Sequence, residues 1–165
     1  WSSDACSSDL ITTGSKSPQP IADLTGPSQG QASGVPGAAS VFDNTSMTQA
    51  SVASGQSVGY RFVAPKNAVQ MYTVTNGATG DDPTSWVLEG SRDGTRWFTV
   101  DQRYSVTWQW KQQNQPFPVK NSGRYQYYRL TVTGTSSGQP AGISEMELMG
   151  KPGGSEEHTS ELQSH

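Results

Sequence analysis

The chain has 165 residues, 32% of them hydrophobic and 15% charged, with 18 glycines and 10 prolines, a balance that suits one turn-rich β-domain with irregular ends rather than a helical bundle. A net charge of −3 with scattered basic residues argues against a nucleic-acid or membrane-surface partner, and no apolar run approaches the ~18 residues that span a bilayer. The single cysteine, Cys6, cannot form an internal disulfide, so stability must come from the core or from a metal.

The chain opens at Trp1, with neither an initiator methionine nor a signal peptide, and reads as a fragment of a larger protein. Residues 1–22 are rich in Ser, Thr and Pro, as in a linker or the end of an upstream domain, to which Trp1, Leu10 and Ile11 would lend a strand. Residues 23–152 form the expected domain, beginning with an irregular strand and loop to Ser40. Val58, Tyr60, Phe62 and Ala64 then alternate with Gly59, Arg61 and Val63, a strand pattern. Pro65-Lys66-Asn67 turns the chain, and Val69, Met71 and Thr73 alternate with Gln70, Tyr72 and Val74. A loop from Asn76 to Pro83 precedes the clearest hairpin. Trp86, Leu88 and Gly90 alternate with Val87 and Glu89, Arg92-Asp93-Gly94-Thr95 supplies a tight reversal, and Trp97 and Thr99 begin the return strand.

Tyr104, Val106, Trp108 and Trp110 share one face of the next segment, while Gln112 to Val119, polar and bracketed by prolines, reads as a long loop. Tyr128, Leu130 and Val132 face inward opposite Tyr127, Arg129 and Thr131, and Met146 and Leu148 close the sheet. Tyr72 and Tyr127 are expected as exposed mid-sheet aromatics. Short strands at this spacing predict an all-β sandwich. Residues 153–165 read as a disordered tail, whose Ser155–His165 string resembles the translation of a short-read sequencing adapter.

That tail holds the only histidines, His158 and His165, so no function is built on them. Without them a Ser-His-Asp triad, a Cys-His pair and a histidine zinc site all fall away. Adjacent Asp81 and Asp82 rarely converge on one bond, and Glu145 with Glu147 read as a solvated edge or as cation ligands rather than a glycosidase pair. The expectation is a domain that is not an enzyme.

Four segments in order carry a family likeness: Val41-Phe42-Asp43-Asn44-Thr45-Ser46, the hairpin from Asp82 to Val100, Arg124 to Val132, and Ile143 to Leu148. Together they resemble the discoidin, or coagulation factor 5/8 type C, superfamily, and in the hairpin and Trp108 to Phe117 its family 32 carbohydrate-binding modules of bacterial glycoside hydrolases. The resemblance covers roughly Asp23 to Gly150. It implies a discoidin-like (galactose-binding-like) jelly-roll β-sandwich. It also implies a structural calcium held by Asp43, Thr48 and Glu145, with carbonyls near Val41 and Ser144. Two departures stand out: Thr45 where relatives carry a second acid, and Ala50 where they frequently carry tryptophan. The other reading of Asp43-Asn44 is a simple Asx turn.

The likeness places ligand-binding loops at 46–51, 76–85 and 102–116, carrying Trp110, Arg103, Asn76 and Gln112, with Asp81, Gln113 and Asn114 nearby. Sugar binding wants an aromatic platform and planar polar groups. Trp86, Trp97 and Trp108 match core positions in relatives, which leaves Trp110 as the platform unless it is buried beside Trp108. Arg103 either brackets a hydroxyl pair or bridges to Asp101 or Glu89. A domain without histidine argues against galactose. Loops without Leu, Phe or Met tips argue against membrane insertion. The implied function is a non-catalytic carbohydrate-binding accessory module of a secreted bacterial carbohydrate-active enzyme, extracellular or at the cell surface. Its partners would be a glycan or polysaccharide and the catalytic domain of the same parent chain. The alternatives are a ligand-free spacer packed against that domain and a cell-surface adhesion module.

Overall fold

The computed structural model describes residues 20–64 and 68–152. The 65–67 turn, most of the 1–22 segment, Cys6 and the 153–165 tail with its histidines lie outside the described residues.

Alternating apolar positions fold into two antiparallel sheets packed face to face. The first sheet runs β1 (Ala22–Asp23), β10 (Ala141–Gly150), β5 (Val69–Asn76), β8 (Asn114–Pro118), with β3 (Ala50–Val52) also on β10. The second runs β2 (Gly30–Gly34), β4 (Ser57–Phe62), β9 (Tyr127–Thr135), β6 (Pro83–Ser91), β7 (Phe98–Arg103). A 3-10 turn, Ala38–Val41, closes one side. Tyr72, Val74, Ile143, Met146 and Leu148 from the first sheet meet Val58, Tyr60, Phe62, Trp86, Leu88, Leu130 and Val132 from the second, all buried. This is the jelly-roll type of β-sandwich. A bulge between Ile143 and Glu145 shifts the phase of β10 by one residue, which is why Ile143 and Met146 both reach the core.

The central hairpin forms as the alternation predicts, with Gly94 at φ 82° in its turn. Asp93 Oδ1 accepts the N–H groups of Thr95 and Arg96, which holds its carboxyl well below the ordinary carboxylate range.

Several expectations need correction. Tyr72 is not an exposed aromatic: it is buried, and its hydroxyl donates to Asp101 Oδ2 at 2.6 Å and accepts Trp86 Nε1 at 2.9 Å. Trp97 is not core: it lies half-buried on the outer face of the second sheet, with the Arg129 guanidinium 4.0 Å above its ring. The span Tyr104 to Trp110 forms no strand: Val106 N donates to Thr84 O, while the Ser85, Gln113 and Gln115 side chains take up the backbone groups of Ser105, Gln109 and Thr107. Residues 114–118 are not loop but strand β8. Pro116 and Pro118 sit two apart on an edge strand, so both missing N–H groups fall on the side with no partner. Ala64 lies exposed, beyond the end of β4. Tyr127 is half-buried on the outer face, under the Arg61 guanidinium.

Candidate functional site

The end of the sandwich that carries the C-terminus of β5 is built from four loops tied together by side chains. Gln49 Oε1 accepts the N–H of Ala78 at 2.8 Å while its Nε2 donates to Thr79. Gly77 and Gly142 leave room for that amide, since a Cβ on either would come within 2.7 Å of it. The longest loop, 104–113, is anchored by Trp108 Nε1 donating to Pro83 O at 2.6 Å and Val106 N to Thr84 O at 2.8 Å. Lys111 Nζ reaches Gly80 O and Asp82 Oδ1 at 2.7 and 2.8 Å. Gln112 adopts a φ of 60° and donates to Ser46 O at 2.7 Å. A non-glycine residue held in this region costs free energy and marks a loop whose shape its contacts impose.

Trp110 stands at the centre of this loop and is 63% exposed. Its carbonyl accepts Asn76 Nδ2 at 3.1 Å, so the backbone under the ring is fixed while the ring faces solvent. Trp108, held through its indole N–H and partly buried against the core, is the framework residue of the pair.

Asn76 does not present itself to a ligand. It is fully buried at the end of β5, where Nδ2 binds Asp82 Oδ1 at 2.9 Å and Trp110 O, and Oδ1 accepts Gln113 N at 2.7 Å. Its role is to brace the loop that carries Trp110. Arg103 is also placed elsewhere: Nε binds Asp101 Oδ2 at 2.7 Å, Nη2 donates to Pro118 O at 2.6 Å, and the guanidinium covers Phe117 at 5.2 Å. It clips the edges of β7 and β8 together, at the opposite end of β8 from Asn114. Of the four residues expected to bind ligand, Trp110 and Gln112 are therefore exposed together, Asn76 supports them from below, and Arg103 stands apart. The ion pair of Lys111 with Asp82, beside Trp110, is the polar pair that sequence reading did not single out; the run Trp108-Gln109-Trp110-Lys111-Gln112 was its signal.

The second set is acidic. Asp43 Oδ1 accepts Thr45 N at 3.2 Å, so the Asx turn forms, while Oδ2 accepts the Thr48 hydroxyl at 2.6 Å. Thr48 Oγ1 also lies 3.5 Å from Ser40 O. Glu145, beside the β10 bulge, is 6% exposed, and neither carboxylate oxygen has a hydrogen-bond partner. Burial first, then the charges of Asp43 and Glu147, push its carboxyl up to about 8; the Thr45 N–H, already committed to Asp43, opposes this only weakly. Buried carboxylate oxygens without donors, beside a second carboxylate, a hydroxyl and a turn of carbonyls, are the donor chemistry a hard cation requires, so these residues fit calcium. Among the described residues no three His, Cys, Asp or Glu side chains converge, so Thr48 and backbone carbonyls would have to complete the shell.

The two-sheet topology and its loop end define the class of fold: a discoidin-like jelly roll of the kind seen in family 32 carbohydrate-binding modules. Three solved structures make this concrete. Chitosan-binding module 1 of a chitosanase/glucanase from Paenibacillus sp. IK-5 is 20% identical, with 76% of this chain and 97% of that one covered at a TM-score of 0.60. The family 32 module of NanJ from C. perfringens, solved with galactose, is 16% identical over 79% and 100% at a TM-score of 0.64. The family 32 module of AlyQ, solved with 4,5-unsaturated mannuronic acid, is 14% identical over 72% and 92% at a TM-score of 0.59. No protein-family model and no curated protein sequence matches the chain, so the likeness is one of fold.

Proposed function

We propose that this protein is a non-catalytic carbohydrate-binding module, the accessory domain of a secreted bacterial carbohydrate-active enzyme acting outside the cell or at its surface. The observation that carries the reading is Trp110: a large apolar ring, exposed, on a loop whose backbone is fixed from below. Fixing the loop in advance reduces the ordering cost of binding, and an indole face matches the apolar face of a pyranose. Gln112 and the Lys111–Asp82 pair supply planar and charged groups at the rim. Calcium held by Asp43, Thr48 and Glu145 would pin the 40–48 turn to the last strand. Its role is structural. The ligands of the structural neighbours, galactose in one and an unsaturated uronic acid in another, support sugar as the class without choosing among sugars.

The test is a glycan array run on the full chain, with calcium and with chelator, beside Trp110→Ala. Binding to a defined glycan should weaken at least tenfold in the variant, about 1.4 kcal/mol, while the melting temperature stays put. Silence of the folded protein across the array would shift the reading to a ligand-free spacer against a neighbouring domain.

A further inference from the structure

Asn76 and Gly77 form the dipeptide in which a backbone nitrogen most readily attacks the side-chain amide before it. In this fold that route is closed, because Gly77 N donates to Gly142 O at 2.8 Å. Another nitrogen stands close. Asp82 Oδ1 accepts both Asn76 Nδ2 at 2.9 Å and Lys111 Nζ at 2.8 Å, so amide and amine share one oxygen. Two donors spread around the lone pairs of one acceptor lie about 5 Å apart. A shift of about 2 Å along the flexible lysine stem then brings Nζ to attacking distance of the Asn76 amide carbon.

The amide is held still and polarised. Asn76 is fully buried, and its Oδ1 accepts Gln113 N at 2.7 Å, a donor already placed where negative charge would gather during attack. Its Nδ2 also donates to Trp110 O at 3.1 Å, so the chain on both sides of Lys111 is tied to the group the lysine faces. Asp81, the neighbouring carboxylate, is spent on Ser137 and Gln139, which leaves Asp82 as the acid–base group at both nitrogens. We propose that Lys111 and Asn76 close an intramolecular isopeptide bond, with Asp82 carrying the protons. Lys111 passes a proton to Asp82, and the neutral amine adds to Asn76 Cγ while the oxyanion rests on Gln113 N–H. Asp82 relays a second amine proton to Nδ2, the Cγ–Nδ2 bond breaks, and the nitrogen leaves with the first proton as ammonium. One C–N bond forms, one breaks, and nothing is oxidised or reduced. The product fastens the end of β5 to the loop under Trp110 and removes the lysine charge from the rim. It needs neither ligand nor metal, so it stands apart from the carbohydrate-binding reading.

The experiment is intact-mass spectrometry of the folded full chain, incubated for days at mildly alkaline pH, where more of the amine is neutral, followed by tryptic mapping. Wild type is expected to become lighter than its sequence by one ammonia. It should resist trypsin at Lys111 and yield a branched peptide joining residues 76 and 111. Lys111→Arg keeps the cation but has no amine to acylate, and should hold its full mass. Asp82→Asn should cross-link roughly a hundredfold more slowly, the lower end of what a positioned acid–base group contributes. The melting temperature of wild type should rise as the bond closes, while that of Lys111→Arg stays constant. Melting curves also show that each variant is folded. Folded wild type that keeps its full mass throughout overturns the proposal. So does loss of ammonia in Lys111→Arg, or in wild type without the branched peptide, since either traces the loss to an imide at Asn76-Gly77. Cross-linking of folded Asp82→Asn at the wild-type rate overturns the proton route.

Discussion

An Asp101→Ala variant is expected to lose about 3 kcal/mol of stability, the lower end of the cost of removing one partner from a buried ion pair. Asp101 is 2% exposed, yet it lies between the sheets and serves three neighbours at once. It accepts the Tyr72 hydroxyl at 2.6 Å, and through Tyr72 it orients the acceptor for Trp86 Nε1. It also holds Arg103 across the β7–β8 edge. Arg103 is about one-third exposed, which is why the lower figure applies rather than the full cost of a fully enclosed pair. Burial, and then the hydrogen bond to Asp101, hold the Tyr72 phenol well above its ordinary range, so it remains a donor near neutral pH. Tyr72→Phe removes the acceptor of Trp86 as well as the donor to Asp101, and should cost about 1–3 kcal/mol for the buried group left unpaired. Urea unfolding of the three proteins decides the matter. A loss under about half a kilocalorie in Asp101→Ala would mean that water enters and replaces the network.

The second large effect is the dependence on pH and calcium set by Glu145. Its folded pKa of about 8 lies above the ordinary 4.5, so folding favours the protonated carboxyl. The sign follows by linkage: the contribution is complete below the unfolded pKa and is lost progressively as pH rises through about 8. Chelated protein should therefore melt at lower temperature at pH 9 than at pH 6, and Glu145→Gln should flatten that difference. Bound calcium would reverse the preference, because it needs the carboxylate, so binding should release a proton and strengthen as pH rises. At one hundred times its Kd it would add about 2.7 kcal/mol, or roughly 10 °C in Tm for a domain of this size. Differential scanning fluorimetry across pH, with calcium and with chelator, reads all of this. A calcium-independent Tm in wild type would remove the metal from the account, and an unchanged pH profile in Glu145→Gln would reassign the titration.

What was legible in the sequence follows from how local each signal is. The β6–β7 hairpin combines period-2 alternation with an Asp-Gly turn, both decided within a dozen residues, and it forms as read. The failures are places where a distant partner decided. Tyr72 alternates correctly, but the face that points inward is chosen by Asp101 and Trp86, 29 and 14 residues away. Prolines argued against a strand at 114–118, and only the sheet order reveals an edge where they are harmless. Asn76 has the composition of a loop ligand, yet Trp110 and Gln113 claim its amide. Arg103 met one of its two expected fates because Asp101, two residues earlier on the same face, is buried. Trp110 and the Asp43–Glu145 set were proposed by likeness alone, since neither residue type nor spacing distinguishes an exposed tryptophan from a core one.

The pairing of β1 with β10 has a mechanical side. Ala22 stands opposite Gly150 and Asp23 opposite Met149, at the pole where β5 begins, away from Trp110. Any polypeptide continuing past either strand would leave side by side from that pole, holding the tryptophan end outward like a head on a stalk. A pull on the two tethers then loads the ladder from its open end, so its bonds break in succession instead of sharing the force. The first strand to peel carries Asp23, one wall of the pocket that Glu145 and Glu147 also line. Under tension, the module would give up that wall before its core felt the strain.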